Sequence, residues 1–485
     1  MKAEVMTFAG LMTQPVIIQG GMGIGVSGWR LARAVSEAGH LGVVSGTALE
    51  IAFARRLQLG DIGGHLRRAM EAFPLRDVAK DILDKYFVEG GKPKEAPFKG
   101  VSLCTANPPK DLTHLIMAAC FCEVRLAKEG HAGVVGINLL EKIRLTCIPA
   151  LYGAMLAGVD YVLMGAGIPR RIPGVLDNLA DGRTAELVME VENAPVDTPP
   201  LVTSLNPADI FNGEAPKINR PKFLAIVGSH ILATTLAKKS TGKVDGFIIE
   251  TAPAGGHNSP PRSKQYTPDG EPIYGPKDEA DLKVIAALGL PYWMAGAHSN
   301  ADSLASAQAK GAVGVQIGTA FAFCEESDMG ADLKKRVLAQ SREGKAGVFT
   351  DPKASPTGFP FKVVRLPGTM YDTDVYQART RICDIGHLRT PCMTPEGKIE
   401  YWCPAAPIDP YLRKGGKIED TEGRKCLCNG LMATIGLGQR RPDGRVEQPI
   451  LTAGQEVANI AQYAKPGRDS YTAAEVLEYV TGKAG

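Results

Sequence analysis

Eight short apolar runs recur along the chain, and a helical stretch separates most of them from the next. They fall at residues 15–19, Gly42–Ser45, 134–138, 161–164, 223–227, 244–250, Tyr292–Ala295 and 313–317. None alternates strictly between apolar and polar, which marks strands buried on both faces of a parallel sheet. Strand–helix alternation points to an α/β fold. A count of eight points to a closed (β/α)8 TIM barrel rather than a doubly wound open sheet. Helices fit the gaps. Residues 28–38 place Leu31, Ala34 and Val35 on one face before Gly39. Residues 299–310 start on Ser299 or Asn300 as cap and stop at Gly311, and residues 151–157 stop at Gly158.

Two connections are oversized. Residues 48–133 hold helical patterns at 52–73 and 110–128, and residues 165–221 hold a helical stretch at 184–192 and a Pro-rich one at 194–201. Long inserts at strand C-termini shape a substrate site or an oligomer contact. Beyond residue 326 the chain turns rich in Gly, Pro and charge, with helices at 333–341 and near Ala473–Thr481. A length of 485 residues suits one large barrel over 1–326 with inserts at about 48–133 and 165–221. A Cys-containing C-terminal extension, 327–485, then packs on it.

With 55 basic and 52 acidic residues the net charge is only +3, and no basic run is interleaved with aromatics, so nucleic acid is excluded as a partner. No apolar run reaches membrane-span length, and Met1-Lys2-Ala3-Glu4-Val5 has no signal-peptide layout, so a cytoplasmic protein is expected. Ten cysteines in a chain of this class suggest thiols or a local metal site, not a disulfide scaffold. Cys104, Cys120, Cys122, Cys147 and Cys324 read as core-filling thiols. Cys383, Cys392, Cys403, Cys426 and Cys428 crowd the extension. Thiolates ligate zinc or iron–sulfur clusters, but this spacing matches no standard finger or ferredoxin pattern, and buried free thiols explain it as well. No metal is assigned on this ground.

The chemistry gathers at the ends of the apolar runs. After Phe247-Ile248-Ile249 comes Ala254-Gly255-Gly256-His257, a bare glycine turn that presents one histidine. Glycines let backbone N–H groups approach a ligand, and an imidazole exchanges a proton near neutral pH. The first strand ends in Gln19-Gly20-Gly21-Met22-Gly23, a nest suited to a flat or anionic ligand. It is not the dinucleotide fingerprint, because Val26 stands where the third glycine belongs. Other strands end in Asn138, in Met164-Gly165-Ala166-Gly167, in Gly296-Ala297-His298 and in Gln316-Ile317-Gly318-Thr319. In barrels the loops after strands seven and eight hold phosphate, a task that suits Gly296 and Gly318-Thr319. His298 is a second-rank catalytic candidate. His40, His65, His114, His131, His230 and His387 read as solvated or capping residues.

On these residues the chain resembles the nitronate monooxygenase (2-nitropropane dioxygenase-like) family of FMN-dependent barrels. The resemblance is carried by residues 15–23, Leu31-Ala32-Arg33-Ala34-Val35-Ser36-Glu37-Ala38-Gly39, Gly136-Ile137-Asn138, residues 254–257, and residues 311–319 with Glu325-Glu326-Ser327. It spans roughly residues 10–330. The string at 251–262 is more similar to the enoyl reductase branch tied to polyunsaturated fatty acid synthases. Two departures stand out: Ala297 where many relatives carry a second glycine, and Asn258 with Pro260-Pro261 in place of a basic residue and glycine.

The resemblance implies FMN across the barrel mouth. Its phosphate would lie near Gly296, Ala297, Gly318 and Thr319. Gln19, Gly20, Gly21, Met22, Gly23, Asn138, Ala254, Gly255, Gly256 and Gln316 would complete the cofactor site, and His257 would act on the substrate. It implies an FMN-dependent oxidoreductase, first of the nitronate monooxygenase kind, oxidising alkyl nitronates with O2. The alternatives are an NAD(P)H-dependent enoyl-thioester reductase working with a fatty acid or polyketide synthase, and a non-catalytic flavin-binding scaffold. The partner is then a small molecule, nitronate or enoyl thioester, with a homo-oligomer or a synthase as further partners.

Overall fold

The computed structural model describes residues 14–482, so the Met1–Val5 reading lies outside the described residues. Eight parallel strands form one sheet: β1 (Ile17–Gln19), β2 (Gly42–Ser45), β3 (Val135–Leu140), β4 (Tyr161–Gly165), β5 (Lys222–Val227), β6 (Gly246–Glu250), β7 (Tyr292–Ala295) and β8 (Gly314–Ile317). From β2 to β8 each pairs with its neighbour in sequence, and β1 pairs with β8. The ring closes where Gln19 N–H donates to Leu41 O at 2.9 Å and Leu41 N–H donates to Ile17 O at 3.0 Å. The fold is therefore the expected (β/α)8 barrel.

Alternate residues of the strands turn inward and fill the ring. Ile18, Val43, Leu163, Leu224, Ile248 and Trp293 form one buried cluster. Each fully buried side chain of this size contributes roughly 1.5–3 kcal/mol relative to exposure. Trp293 is 1 % exposed, and its indole N–H donates to Pro15 O at 2.7 Å, which satisfies its polar atom at the floor of the barrel. The remaining strand residues meet the surrounding helices, so both faces are apolar and the strands read as continuous runs.

Helices Trp29–Glu37, Cys147–Leu156 and Ala301–Ala309 occupy the expected gaps, the last with a capping box between Asn300 and Ser303. The first long connection is helical. Its pattern at 52–73 resolves into two helices, Leu49–Gln58 and His65–Met70, parted by Gly60, Gly63 and Gly64, all at positive φ. Helix Lys110–Ala127 is buried on almost every side, and its Glu123 meets Arg56 at 2.6 Å, which also meets Asp328 at 2.9 Å. The helix expected at 184–192 is a strand instead. Ala185–Met189 pairs antiparallel with Leu201–Leu205, because Ala185, Leu187 and Met189 face inward with period two.

The chain beyond residue 326 lies against the barrel. Gln439 exchanges two hydrogen bonds with the Phe98 backbone, Tyr463 Oη donates to Ser299 Oγ at 2.7 Å, and Tyr471 Oη donates to Ala320 O at 2.7 Å. Helix Ala473–Thr481 ends the described chain on a Thr472–Glu475 capping box. No described helix is long and apolar enough to cross a membrane.

Candidate active site

The C-terminal ends of the strands open into a cavity of about 1430 Å³, open solvent included. Gly20, Gly21, Met22 and Gly23 line it from β1, and Asn138 lines it from β3. Ala254, Gly255, Gly256 and His257 enter after β6, Gly296 and Ala297 after β7, and Gln316, Gly318 and Thr319 from β8. The sequence-based set thus converges on one rim, with one exception. Gln19 is 0 % exposed and does not reach the cavity. Its side-chain amide donates to Val43 O at 3.2 Å and accepts from Val43 N–H at 3.0 Å. It fastens β1 to β2 at the closing seam, and its expected role in cofactor contact is corrected accordingly.

The glycines are there for space. A Cβ on Gly255 would lie 2.6 Å from the Ala453 carbonyl carbon and 2.7 Å from Gly454 N, and one on Gly21 would overlap Asn138. Gly296 sits at φ +98°, where a side chain would overlap Thr251. Ala297 follows at φ 57° and so keeps the left-handed turn that a second glycine would take. The substitution there leaves the backbone path intact. Gln316 Oε1 is a buried acceptor with no protein partner, and Gln316 lines the cavity. A buried acceptor of this kind is costly unless a ligand donor meets it. Thr319 is less free, because its Oγ1 accepts from Gly454 N–H at 2.8 Å.

His257 is boxed in by the extension. Its Nε2 lies 2.7 Å from Ser355 Oγ, which lies 2.8 Å from Thr357 Oγ1. Phe361 meets the imidazole edge-on at 4.9 Å, and Phe359 does so at 6.4 Å. Burial holds the imidazole pKa down at about 4, so the ring is neutral at ordinary pH. At the end of β6, Glu250 has the opposite problem. Burial pushes its carboxyl up to about 7, against the pull of Lys362. Lys362 is brought down to about 8 by burial, and its Nζ donates to Ala252 O and Asn258 Oδ1, each at 2.6 Å. Two proton-exchanging groups of different kind therefore face one cavity.

Several lining residues were not expected. Phe361, Thr452, Gly454 and Glu456 come from a short strand, a loop and the start of a 3-10 helix in the extension, and Ser355 reaches His257 from a loop; none carries a pattern that ties it to a barrel mouth. Glu250 did leave a trace, as a lone carboxylate closing an apolar strand. His387 corrects the solvated reading: it is 7 % exposed, lines the cavity, and its Nε2 lies 2.6 Å from Glu50. His298 is not part of the cavity wall. Its Nδ1 is buried without a partner, and burial lowers its pKa.

No family model matches the chain, and no curated protein does. Among solved structures it is similar to FabK from Thermotoga maritima, at 16 % identity and a TM-score of 0.47, covering 97 % of this chain and 93 % of that one. It is similar to a nitroalkane oxidase from Streptomyces ansochromogenes, at 14 % identity and a TM-score of 0.48, covering 96 % and 95 %. It is also similar to the enoyl reductase domain of MlnA from the macrolactin cluster of Bacillus amyloliquefaciens, at 11 % identity and a TM-score of 0.47, covering 97 % and 94 %.

Proposed function

We propose that the protein is an FMN-dependent oxidoreductase whose substrate is held against His257. The observation that carries this reading is the rim itself. Glycine-bare backbone from four strand ends, a buried unpartnered Gln316 acceptor and one neutral imidazole share a single cavity. These features fit a flat, hydrogen-bonding cofactor. Gly20, Gly21, Met22, Asn138 and Gln316 would hold its ring and chain, and Gly296, Ala297 and Gly318 would hold its phosphate. When bound, FMN supplies the electron chemistry, and the protein orients it and shields it.

The residues of the chain do the rest. Phe359 and Phe361 keep water from the imidazole, and Ser355 fixes its plane. Held neutral, with its pKa at about 4, His257 is a weak base but still a hydrogen-bond donor, so it is suited to hold the oxygens of a nitronate by hydrogen bond. This favours substrate oxidation of the nitronate monooxygenase kind. One observation supports the enoyl-thioester reductase reading: Glu250, raised to about 7, is a proton source at neutral pH on the same cavity. In that reading the protein works beside a fatty acid or polyketide synthase.

The test is anaerobic flavin reduction. Bleaching by an alkyl nitronate, followed by O2 uptake without NAD(P)H, supports the first reading. NAD(P)H oxidation that depends on an enoyl thioester supports the second. Protein that binds FMN but passes no electrons in either assay would be a scaffold, and protein that refuses FMN would end the proposal.

A further inference from the structure

Two imidazoles line the barrel mouth. His257 is a weak base, because burial holds its pKa at about 4. His387 arrives from the extension and is held differently. Its Nε2 lies 2.6 Å from Glu50 Oε1, in a contact whose two side chains are both buried. Glu50 stands in the first turn of helix Leu49–Gln58, where the partial positive charge of the helix N-terminus favours an anion. Among the described residues no other side chain forms an ion pair with it. Glu50 is not part of the cavity wall, and His387 is. The ring therefore bridges a buried carboxylate and the mouth. A carboxylate only accepts, so Nε2 carries the proton and Nδ1 of the neutral ring offers a lone pair. That nitrogen is unused. Among the described residues that line the mouth, only Gln316 and His387 hold a buried polar side-chain atom with no partner, Oε1 in one and Nδ1 in the other. Leaving such an atom unpaired costs about 1–3 kcal/mol unless a ligand meets it. A histidine that merely filled the roof would need neither the carboxylate on one nitrogen nor the vacant lone pair on the other.

We infer that His387, held by Glu50, is the base that takes the α-proton of a neutral nitroalkane in the barrel mouth. The inference deepens the nitronate reading and rests on it for the place of the substrate. In this step the α-C–H bond breaks and its proton moves to Nδ1. The electron pair stays on the substrate as the nitronate, whose charge falls on the nitro oxygens. Nε2 keeps its proton, and the carboxylate of Glu50 faces the imidazolium so formed. No electron leaves the substrate. His257 is suited to hold the oxygens that gain the charge. The two histidines thus divide the work, and the protein makes its own nitronate from the uncharged carbon acid. Glu50 acts through His387, as a positioning residue.

Proton exchange tests this apart from electron transfer. The full chain is held under argon in deuterated buffer with nitroethane, and loss of the α-hydrogens is followed by proton NMR. Released FMN is assayed separately, so a failure of the flavin reading and a failure of this one are told apart. The wild-type chain is expected to speed the exchange above the buffer rate, and His387→Gln to lower that acceleration about 10²-fold. Glu50→Gln leaves the ring in place. It should slow the exchange with KM for nitroethane little changed, and with FMN content and the far-UV spectrum as in the wild type. A dyad that only supports the fold would instead lower folded protein and FMN content in step with the rate. Exchange no faster than in buffer, or His387→Gln equal to the wild type, would overturn the inference. Should His387→Gln fail to fold, Glu50→Gln decides, and exchange equal to the wild type in that variant overturns it as well.

Discussion

The barrel and the extension contribute to the same cavity by different means. The barrel supplies backbone: glycine turns at the ends of β1, β6, β7 and β8 that line the cavity, several of them bare so that neighbouring protein atoms can pack against them. The extension supplies side chains: Ser355 on the imidazole, Phe359 and Phe361 around it, Lys362 beside Glu250. The surroundings of the imidazole, and with them its protonation state, are set by an irregular segment that arrives later in the chain.

That division can be broken at four points. The largest effect is expected from His257→Ala, which should lower turnover about 10²–10⁴-fold while FMN stays bound. Steady-state rates and released-flavin fluorescence check it, and unchanged turnover would remove His257 from its role. Next, Trp293→Ala at the barrel floor should cost roughly 3–5 kcal/mol of stability and leave the flavin spectrum of the surviving folded fraction unaltered. Denaturant unfolding measures it, and a shifted flavin spectrum would show that floor and mouth are not separate.

A smaller effect concerns acid. The folded pKa of His257 is depressed from 6.5 to about 4. Its contribution to stability is thus present above pH 6.5 and is lost as the pH falls through 4, up to roughly 3 kcal/mol for a shift of that size. His257→Gln should flatten the stability profile between those values, and identical profiles for the two proteins would contradict the buried, neutral imidazole. The smallest effect belongs to Ser355→Ala, at about 1 kcal/mol. It should lower kcat several-fold with KM little changed and raise the scatter of the imidazole orientation, visible as broadened ring resonances by NMR.

The barrel was legible because its strands are buried on both faces. Each leaves a short apolar run, and the glycine turns follow at fixed places, so residues 15–23 and 254–257 announce both strand and rim. The hairpin of Ala185–Met189 and Leu201–Leu205 was hidden because five residues of alternation are too few to separate period two from a helical face. Gln19 misled for a different reason. A polar residue at a strand tip looks like a ligand contact, yet here it satisfies the backbone of β2 at the seam where the ring closes. The extension's part in the site was illegible. Ser355, Thr452 and Glu456 act from segments whose place is fixed by tertiary contacts such as Gly454 N–H to Thr319 Oγ1.

The contact between Gly255 and the Ala453–Gly454 backbone joins residues about 200 positions apart, with no room for even a methyl group between them. Loop closure over that span comes late and slowly in folding. The mouth of the barrel therefore acquires its roof only once the segment around Ala453 and Gly454 has docked. Until then the rim stands open to water, so a complete site has to wait for backbone about 200 positions downstream of the histidine turn.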